Sequence, residues 1–258
     1  MPIYNRALRP MGRVYRRVNW LVGRVYRRVN WLVGRVYRRV YLPRVDTIPD
    51  IRSRYPGFSA VREAIRQAGT DSLSHFGPGY ASEGGLSLQQ NPDEFAALCA
   101  FLEERGPHRT YVEIGSASGG ACLFLYRRLG FDQVVSLDDG GHPRAPEQSA
   151  NFAQIPGIRQ YVGDSHAPKA VSYLEAELSG PIDVAFVDGD HSHAGVMQDI
   201  HLVRRFCRPG SLLILHDTVA APGVEKAWLK CLRSDFLKPV AEYVGNERPL
   251  GIGIAEIL

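Results

Sequence analysis

Carboxylates recur directly after short apolar segments in the second half of the chain. These segments are followed by Glu113 to Gly120, Asp138-Asp139, Gly163-Asp164-Ser165, Asp188-Gly189-Asp190-His191 and His216-Asp217-Thr218. Clustered acidic side chains repel one another unless they bind a cation or hydrogen-bond donors. The pattern therefore predicts a site for a ligand that carries positive charge or several donors.

The apolar segments have the length and composition of buried β-strands. They cover Tyr111 to Ile114, Val134 to Leu137, Ile158 to Val162, Val184 to Val187 and Leu212 to Leu215. Helical spacing of apolar residues lies between them, at 122–129 and again at 196–206. This alternation predicts a doubly wound, Rossmann-like α/β fold with a mostly parallel sheet. Ligands of such sheets bind beyond the carboxyl ends of the strands, where the carboxylates stand.

The turn after the first strand has two glycines, Gly115 and Gly119, at positions where the backbone must turn tightly against a ligand. Glycine alone does not separate the candidate cofactors. A dinucleotide turn usually has glycine at the position of Ala117 and binds a pyrophosphate. Glu113 and the neighbouring acids instead favour a cofactor with a sulfonium and an amine.

Because of this turn and the acids that follow the other strands, the segment 88–258 resembles the class I S-adenosylmethionine-dependent methyltransferases. The resemblance implies a seven-stranded, mostly parallel sheet with an antiparallel C-terminal strand, and 240–243 and 250–257 would be the antiparallel strand pair that closes it. Glu113, Gly115 and Gly119 would surround the methionine part of the cofactor, and Asp138, or Asp139 beside it, would hold the ribose. The cofactor-binding residues expected from the resemblance are Glu113, Gly115, Ser116, Gly119, Asp138, Asp139, Asp164 and Ser165.

Two longer motifs, 186–193 and 212–218, are similar to bacterial small-molecule O-methyltransferases of the cephalosporin-hydroxylase-type group, and more distantly to catechol O-methyltransferases. The similarity implies a divalent metal, magnesium or manganese, bound by Asp188, Asp217 and either His216 or Thr218. We take His216 as the third ligand. A histidine ligand favours a softer metal than magnesium.

Methyl transfer to a hydroxyl requires alignment of oxygen, methyl carbon and sulfur, and removal of the hydroxyl proton. A metal at Asp188 and Asp217 would serve the first need, and His191, ahead of His193, would be the base. Asp188 and His191 are therefore the expected catalytic residues of an O-methyltransferase for a small sugar or phenolic compound. The alternatives are a metal-independent methyltransferase with a histidine base, at His191 or His216, and a non-catalytic, membrane-targeted binding protein of the same fold.

The chain has three predicted regions, and charge separates the first of them from the rest. Residues 1–45 contain twelve Arg and no acidic residue, which leaves 19 basic and 27 acidic residues in the remainder. We predict a basic arm at 1–45, a helical lead-in at 46–109 and the methyltransferase domain at 110–258. In the lead-in, apolar spacing predicts a helix from Phe58 to Gln67, and Asn91-Pro92 predicts the start of another.

The arm is an eleven-residue repeat that occupies 12–22, recurs identically at 23–33 and restarts at 34. As a helix, it would place Val and Leu on one face and Arg on the other, so that residues 12–44 suit an anionic membrane surface. A disordered segment, an organelle transit peptide and a functionless duplication are competing interpretations.

Cysteine spacing and hydropathy indicate the compartment in which the protein is expected to work. The cysteines lack the spacing of metal ligands or redox pairs, and we expect them to be reduced: Cys99, Cys122, Cys207 and Cys231. The absence of a long apolar run predicts a soluble, cytoplasmic protein, peripheral at a membrane if the arm binds one. Expected partners are a small hydroxylated acceptor and this membrane surface. No specific nucleic acid is expected, and a homo-oligomer is compatible with the sequence.

Overall fold

The computed structural model describes residues 45–69 and 86–258, which belong to one compact unit. Residues 1–44 of the predicted arm, and with them the membrane surface at 12–44, therefore lie outside the described residues, and the boundaries at 45 and 109 stay predictions. Within the described ranges, no helix combines the length and apolar character needed to cross a bilayer.

Three helices precede the sheet: α1 (Ile48–Arg54), α2 (Phe58–Ala68) and α3 (Pro92–Arg105). The predicted helix at 58–67 is confirmed. The predicted start at Asn91 is also confirmed, because its side chain accepts hydrogen bonds from the backbone amides of Asp93 and Glu94. α1 was not predicted, since its seven residues are too few to show a helical period.

Strands and helices then alternate along the chain. They are β1 (Thr110–Ile114), α4 (Gly120–Leu129), β2 (Gln133–Asp138), α5 (Ala145–Phe152), β3 (Ile158–Val162), α6 (Pro168–Glu177), β4 (Ile182–Val187), α7 (His193–Arg204), β5 (Cys207–His216), α8 (Pro222–Cys231), β6 (Leu237–Tyr243) and β7 (Ile252–Ile257). All five predicted parallel strands and the C-terminal pair are present at the expected places.

One seven-stranded sheet runs in the order β3-β2-β1-β4-β5-β7-β6. The first five strands in the chain pair in parallel, whereas β7 is antiparallel to both β5 and β6. The predicted fold class is thus confirmed. Chain order reverses between the adjacent strands β1 and β4, and a crevice opens beyond the strand ends at such a point.

Helix α3 joins the lead-in to the sheet through a buried carboxylate. Glu94 is fully buried, and its two oxygens accept hydrogen bonds from the backbone amides of Gly245, Leu250 and Gly251 in the β6–β7 connection. Burial raises the pKa of Glu94, while these amides lower it. The carboxylate therefore holds a connection that is about 150 residues away in sequence.

Glu94→Ala is expected to lower the free energy of unfolding by about 3 kcal/mol, because it leaves three buried amides without their acceptor. Urea denaturation of the full chain measures this effect. Glu104→Ala is the matched control on the same helix, since the side chain of Glu104 is 30% exposed and its ion pair with Arg54 lies at the surface. Equal stability losses in the two variants would contradict the anchoring role.

Candidate functional site

A cavity of about 630 Å³ opens at the carboxyl ends of β1, β2, β3 and β4. Its walls contain residues from the segment that follows each of these strands: Ile114, Gly115, Ala117, Leu137, Asp138, Asp139, His142, Gly163, Asp164, Ser165, His166, Asp188, Gly189 and Asp190. Five of the lining side chains are carboxylates. The acids after β2, β3 and β4 therefore line one space, large enough for a nucleoside-sized molecule, whereas the residues 216–218 after β5 do not line it.

The glycine turn lies against the end of β4. Gly115 has φ of 85°, and a Cβ atom at this position would lie 2.2 Å from the carbonyl oxygen of Asp188. Gly119 has φ of 76°, and its missing Cβ leaves room for Gln148 and Phe152 of α5. Any larger residue at Gly115 would push β1 and β4 apart, so this glycine sets the shape of the cavity floor.

Asp138 is held in place at the end of β2. One of its carboxylate oxygens accepts from the amide of Ala117 at 2.7 Å, and the other accepts from the amide of Gly140 at 2.8 Å. Asp139 is exposed and accepts from the amide of Gly141. Both residues line the cavity, but Asp138 is tied to the glycine turn. Its remaining lone pairs can accept hydrogen bonds from two neighbouring hydroxyls.

Three predicted cofactor residues lie outside the cavity lining: Glu113, Ser116 and Gly119. Glu113 is buried and accepts a hydrogen bond from the hydroxyl of Tyr111 at 2.6 Å. Ser116 forms hydrogen bonds with the side chains of Ser136 and Gln148, both at 2.7 Å. In this arrangement, Glu113 and Ser116 form hydrogen bonds with neighbouring side chains of the protein and do not line the cavity. Their assignment as cofactor contacts stays a prediction.

Burial is the main cause that raises the pKa of Glu113 to about 8; the nearby carboxylates of Asp188 and Asp138 act in the same direction, and the Tyr111 hydrogen bond opposes them. The carboxyl group is therefore protonated in the folded protein at neutral pH. The sequence did not indicate this, because it predicted an acid that faces the cofactor.

The loop after β3 has both of its predicted residues, Asp164 and Ser165, in the cavity wall. His142, His166 and Asp190 also line it. Sequence reasoning missed the two histidines, and it named Asp190 among the strand-end acids without giving it a role. A usable signal was present, since each stands within four residues of a strand-end acid.

Asp188 belongs both to the cavity wall and to a second group of side chains beside it. The Nδ1 atom of His216 lies 3.0 Å from Asp188 Oδ1. The Nε2 atom of His191 lies 3.5 Å from the same oxygen and 3.3 Å from Asp217 Oδ2. We call Asp188, His191, His216 and Asp217 the Asp-His cluster. The structure thus brings together all four residues that were predicted for catalysis and metal binding.

Within the Asp-His cluster, the acids and the histidines shift one another's pKa values. Burial lowers the pKa of His216, but Asp188 and Asp217 outweigh burial and raise it to about 9. Burial raises the pKa of Asp188, but the two histidines reverse this effect and hold it below the usual value. The hydrogen bond to Asp188 raises the pKa of His191 despite its burial. At neutral pH, Asp188 and His216 form a buried ion pair.

The two histidines of the cluster differ in what they can offer a metal ion. His216 is 3% exposed, and its Nδ1 hydrogen is directed to Asp188. Within the described residues, its Nε2 atom is buried without a hydrogen-bond partner. By contrast, single ligand atoms of Asp188, His191 and Asp217 lie within 4.8 Å of one another, close enough to share one ion. Asp217 holds its carboxylate there from a left-handed backbone conformation, with φ of 60°.

Residues 112–218 match a protein-family model described as a methyltransferase domain, Methyltransf_24. This segment begins in β1 and ends directly after β5, so it contains both the cavity and the Asp-His cluster.

Two curated proteins are similar in sequence. An uncharacterized protein, R132, of Acanthamoeba polyphaga mimivirus is 24% identical over 116 residues, which cover 42% of this chain and 51% of that protein. The 8-demethyl-8-alpha-L-rhamnosyl tetracenomycin-C 2'-O-methyltransferase of Streptomyces olivaceus is 27% identical over 178 residues, which cover 63% of this chain and 42% of that enzyme. The chain thus spans about half the length of these relatives, or less.

Solved structures share the fold. The O-methyltransferase of Bacillus cereus in complex with SAH superimposes with a TM-score of 0.54 at 18% identity, covering 66% of this chain and 83% of that one. The O-methyltransferase TomG of Streptomyces achromogenes in complex with SAM gives a TM-score of 0.53 at 18% identity, covering 76% and 89%. Residues 112–218 thus match a methyltransferase-domain model, and the sheet that contains them has the same fold as these two solved O-methyltransferases.

Proposed function

We propose that the protein transfers a methyl group from S-adenosylmethionine to a hydroxyl of a small molecule. The observation that carries the proposal is the position of Asp188, which lines the cavity and also belongs to the Asp-His cluster. A cofactor in the cavity would thereby have its reactive end beside side chains that can bind or deprotonate an acceptor. The tetracenomycin relative, an O-methyltransferase by name, supports a hydroxyl acceptor.

The cofactor would be held by the cavity carboxylates. Asp138 can accept from both ribose hydroxyls, because the amides of Ala117 and Gly140 fix its orientation. The positive sulfonium would lie among acids, which attract it. Asp139 and Asp164, at the rim, add to this negative field without contributing buried charge.

A divalent metal ion fits the donors that the Asp-His cluster presents. Two carboxylates and one imidazole suit manganese or another ion softer than magnesium. We assign the metal site to Asp188, His191 and Asp217, in place of the His216 expected from the sequence, because the Nδ1 hydrogen of His216 is directed to Asp188. A bound ion would polarise the acceptor oxygen and lower the pKa of its hydroxyl. His216 would orient Asp188 through the contact between its Nδ1 atom and Asp188 Oδ1.

A second candidate mechanism uses no metal. His191 is 49% exposed in its side chain and lies between two carboxylates that stabilise its protonated form. Such a histidine can accept the acceptor's proton as methyl transfer proceeds. The two candidates differ in the role of His191, which is a ligand in the first and a general base in the second.

The proposed function is tested with the full chain and a panel of sugar and phenolic acceptors, by following S-adenosylhomocysteine release. We expect turnover to fall at least about tenfold after chelation with EDTA and to return with manganese. Unchanged turnover after chelation would favour His191 as a metal-free base. Calorimetric titration accompanies the assay, and a chain that binds NAD but not S-adenosylmethionine would refute the proposal.

Membrane association of residues 12–44 and a homo-oligomeric state stay predictions beside this function.

A further inference from the structure

A buried glutamine of the lead-in contacts the carboxylate of Asp188. Gln90 is 3% exposed, and its Nε2 atom donates to Asp188 Oδ2 at 3.5 Å. Hydrogen bonds of this kind are often long in ligand-free active sites and shorten when the substrate binds. The other oxygen of the carboxylate, Oδ1, lies 3.0 Å from Nδ1 of His216 and 3.5 Å from Nε2 of His191. The two oxygens of Asp188 therefore have different neighbours, with the histidines at Oδ1 and the glutamine at Oδ2.

The backbone on both sides of Gln90 is fixed by contacts to other parts of the chain. Before it, the carbonyl oxygen of Ser87 accepts a hydrogen bond from the hydroxyl of Ser118 at 2.9 Å. After it, Asn91 caps α3, and its Nδ2 atom donates to the carbonyl oxygen of Glu247 at 2.9 Å. Gln90 thus stands on a short anchored segment, from which its side chain can orient Asp188.

The oxygen of the Gln90 amide has no partner of its own. This Oε1 atom is buried, and among the described residues nothing donates a hydrogen bond to it. Reversing the amide would place Oε1 against the Asp188 carboxylate, where two acceptors repel each other, so Asp188 fixes the orientation of the amide. An apolar side chain of similar size would fill this place without burying an unpaired acceptor. A glutamine here therefore indicates a functional requirement at a cost in stability.

The carboxylate of Asp188 needs partners on both oxygens to keep one orientation. The torsion that turns an aspartate carboxylate has broad minima, so a single contact leaves much of its rotation free. His216 holds Oδ1 and Gln90 holds Oδ2. Gln90 lies outside the described cavity lining, so its effect on a reaction in the cavity has to pass through Asp188, which belongs to that lining.

We propose that Gln90 is a positioning residue for methyl transfer. By holding Oδ2 of Asp188, it fixes the plane of the carboxylate and keeps Oδ1 directed to His191. The role is the same whether Asp188 binds a metal ion or holds His191 as a general base. The inference rests on the proposed function, because it gives Gln90 a part in that reaction.

The test compares Gln90→Met with the wild-type protein, both as the full chain. Methionine has a similar size and shape but no donor. We expect kcat to fall about tenfold or more, the order usual for residues that orient catalytic ligands. The calorimetric Kd of S-adenosylhomocysteine should stay within about twofold, since Gln90 lies outside the cavity lining. The urea midpoint is expected to stay the same or rise, because the unpaired amide oxygen is removed.

Two further measurements separate positioning from other effects. Gln67→Met is the matched control, because Gln67 is an exposed glutamine on α2 that contacts only its own helix through Glu63, and neither kcat nor the urea midpoint should change. A double-mutant cycle tests the route through Asp188. In the Asp188→Ala background, Gln90→Met is expected to change the single-turnover rate by less than about twofold.

Each outcome bears on a stated proposal. A kcat of Gln90→Met within about threefold of the wild type, or a full loss that persists in the Asp188→Ala background, would overturn the inference and leave the proposed function intact. A lowered urea midpoint, or failure to fold, would assign Gln90 to structural support and overturn the inference as well. Absence of any turnover in the wild-type protein would overturn the proposed function, and the inference with it.

Discussion

Asp188→Ala is expected to reduce methyl transfer about a thousandfold. The substitution removes the side chain that the described cavity lining shares with the Asp-His cluster, and with it one of the two carboxylates beside His191 and His216. Loss of a metal ligand or of the group that orients a general base costs roughly two to four orders of magnitude in rate. Initial rates with an acceptor identified in the panel measure the effect.

Asp188→Asn separates charge from shape at this position. The amide keeps the volume of the carboxylate but cannot neutralise His216, so we expect it to be nearly as inactive as Asp188→Ala. Asp132→Ala is the control, because Asp132 is an exposed acid at the opposite end of the sheet, directly before β2. Activity of Asp188→Asn within about threefold of the wild type would contradict a role that depends on the negative charge.

Glu113→Gln is expected to make the ligand-free protein less sensitive to rising pH. The folded-state pKa of Glu113 is raised to about 8 from an ordinary value of 4.5. Its contribution to stability is therefore complete below about pH 4.5 and is lost as pH rises through about 8, since the unfolded chain releases the proton first. The loss amounts to a few kcal/mol, about 4 at most, across this window. Glutamine can still accept from the Tyr111 hydroxyl and has no proton to lose.

Urea denaturation at pH 5, 7 and 8.5 checks this prediction. The stability of Glu113→Gln relative to the wild type should rise with pH, whereas Glu104→Gln, at the surface, should follow the wild-type curve. Parallel curves for Glu113→Gln and the wild-type protein would show that the Glu113 carboxyl is already ionised in the folded state.

Much of the fold was predictable because local sequence patterns indicate its strands and several of its helices. Each parallel strand is a short apolar segment, and helical spacing stands between the strands. Helix α8 (Pro222–Cys231) and α6 (Pro168–Glu177) were not predicted individually, although their place between strands implied them. α5 (Ala145–Phe152) buries only three residues and leaves too weak a pattern to identify.

The site was predictable in location but not in detail. Asp138, Asp164 and Asp188 each follow a strand, and the parallel arrangement of the strands gathers their ends around one cavity. The choice between His191 and His216 as metal ligand depends on where each ring points. His216 ends β5 and is enclosed by the sheet, whereas His191 stands on the loop before α7 and reaches two carboxylates.

The sequence by itself determined that acids and glycines meet at the carboxyl edge of a parallel sheet, because strand direction and chain order follow from local pattern. Only the tertiary structure decided that Glu113 lies beneath the turn and that Asp199 supports Ser165 and His166. It also decided that Glu94 holds the connection before β7. These contacts join residues on separate elements, and helix packing and side-chain burial, which no local pattern encodes, set their distances and protonation.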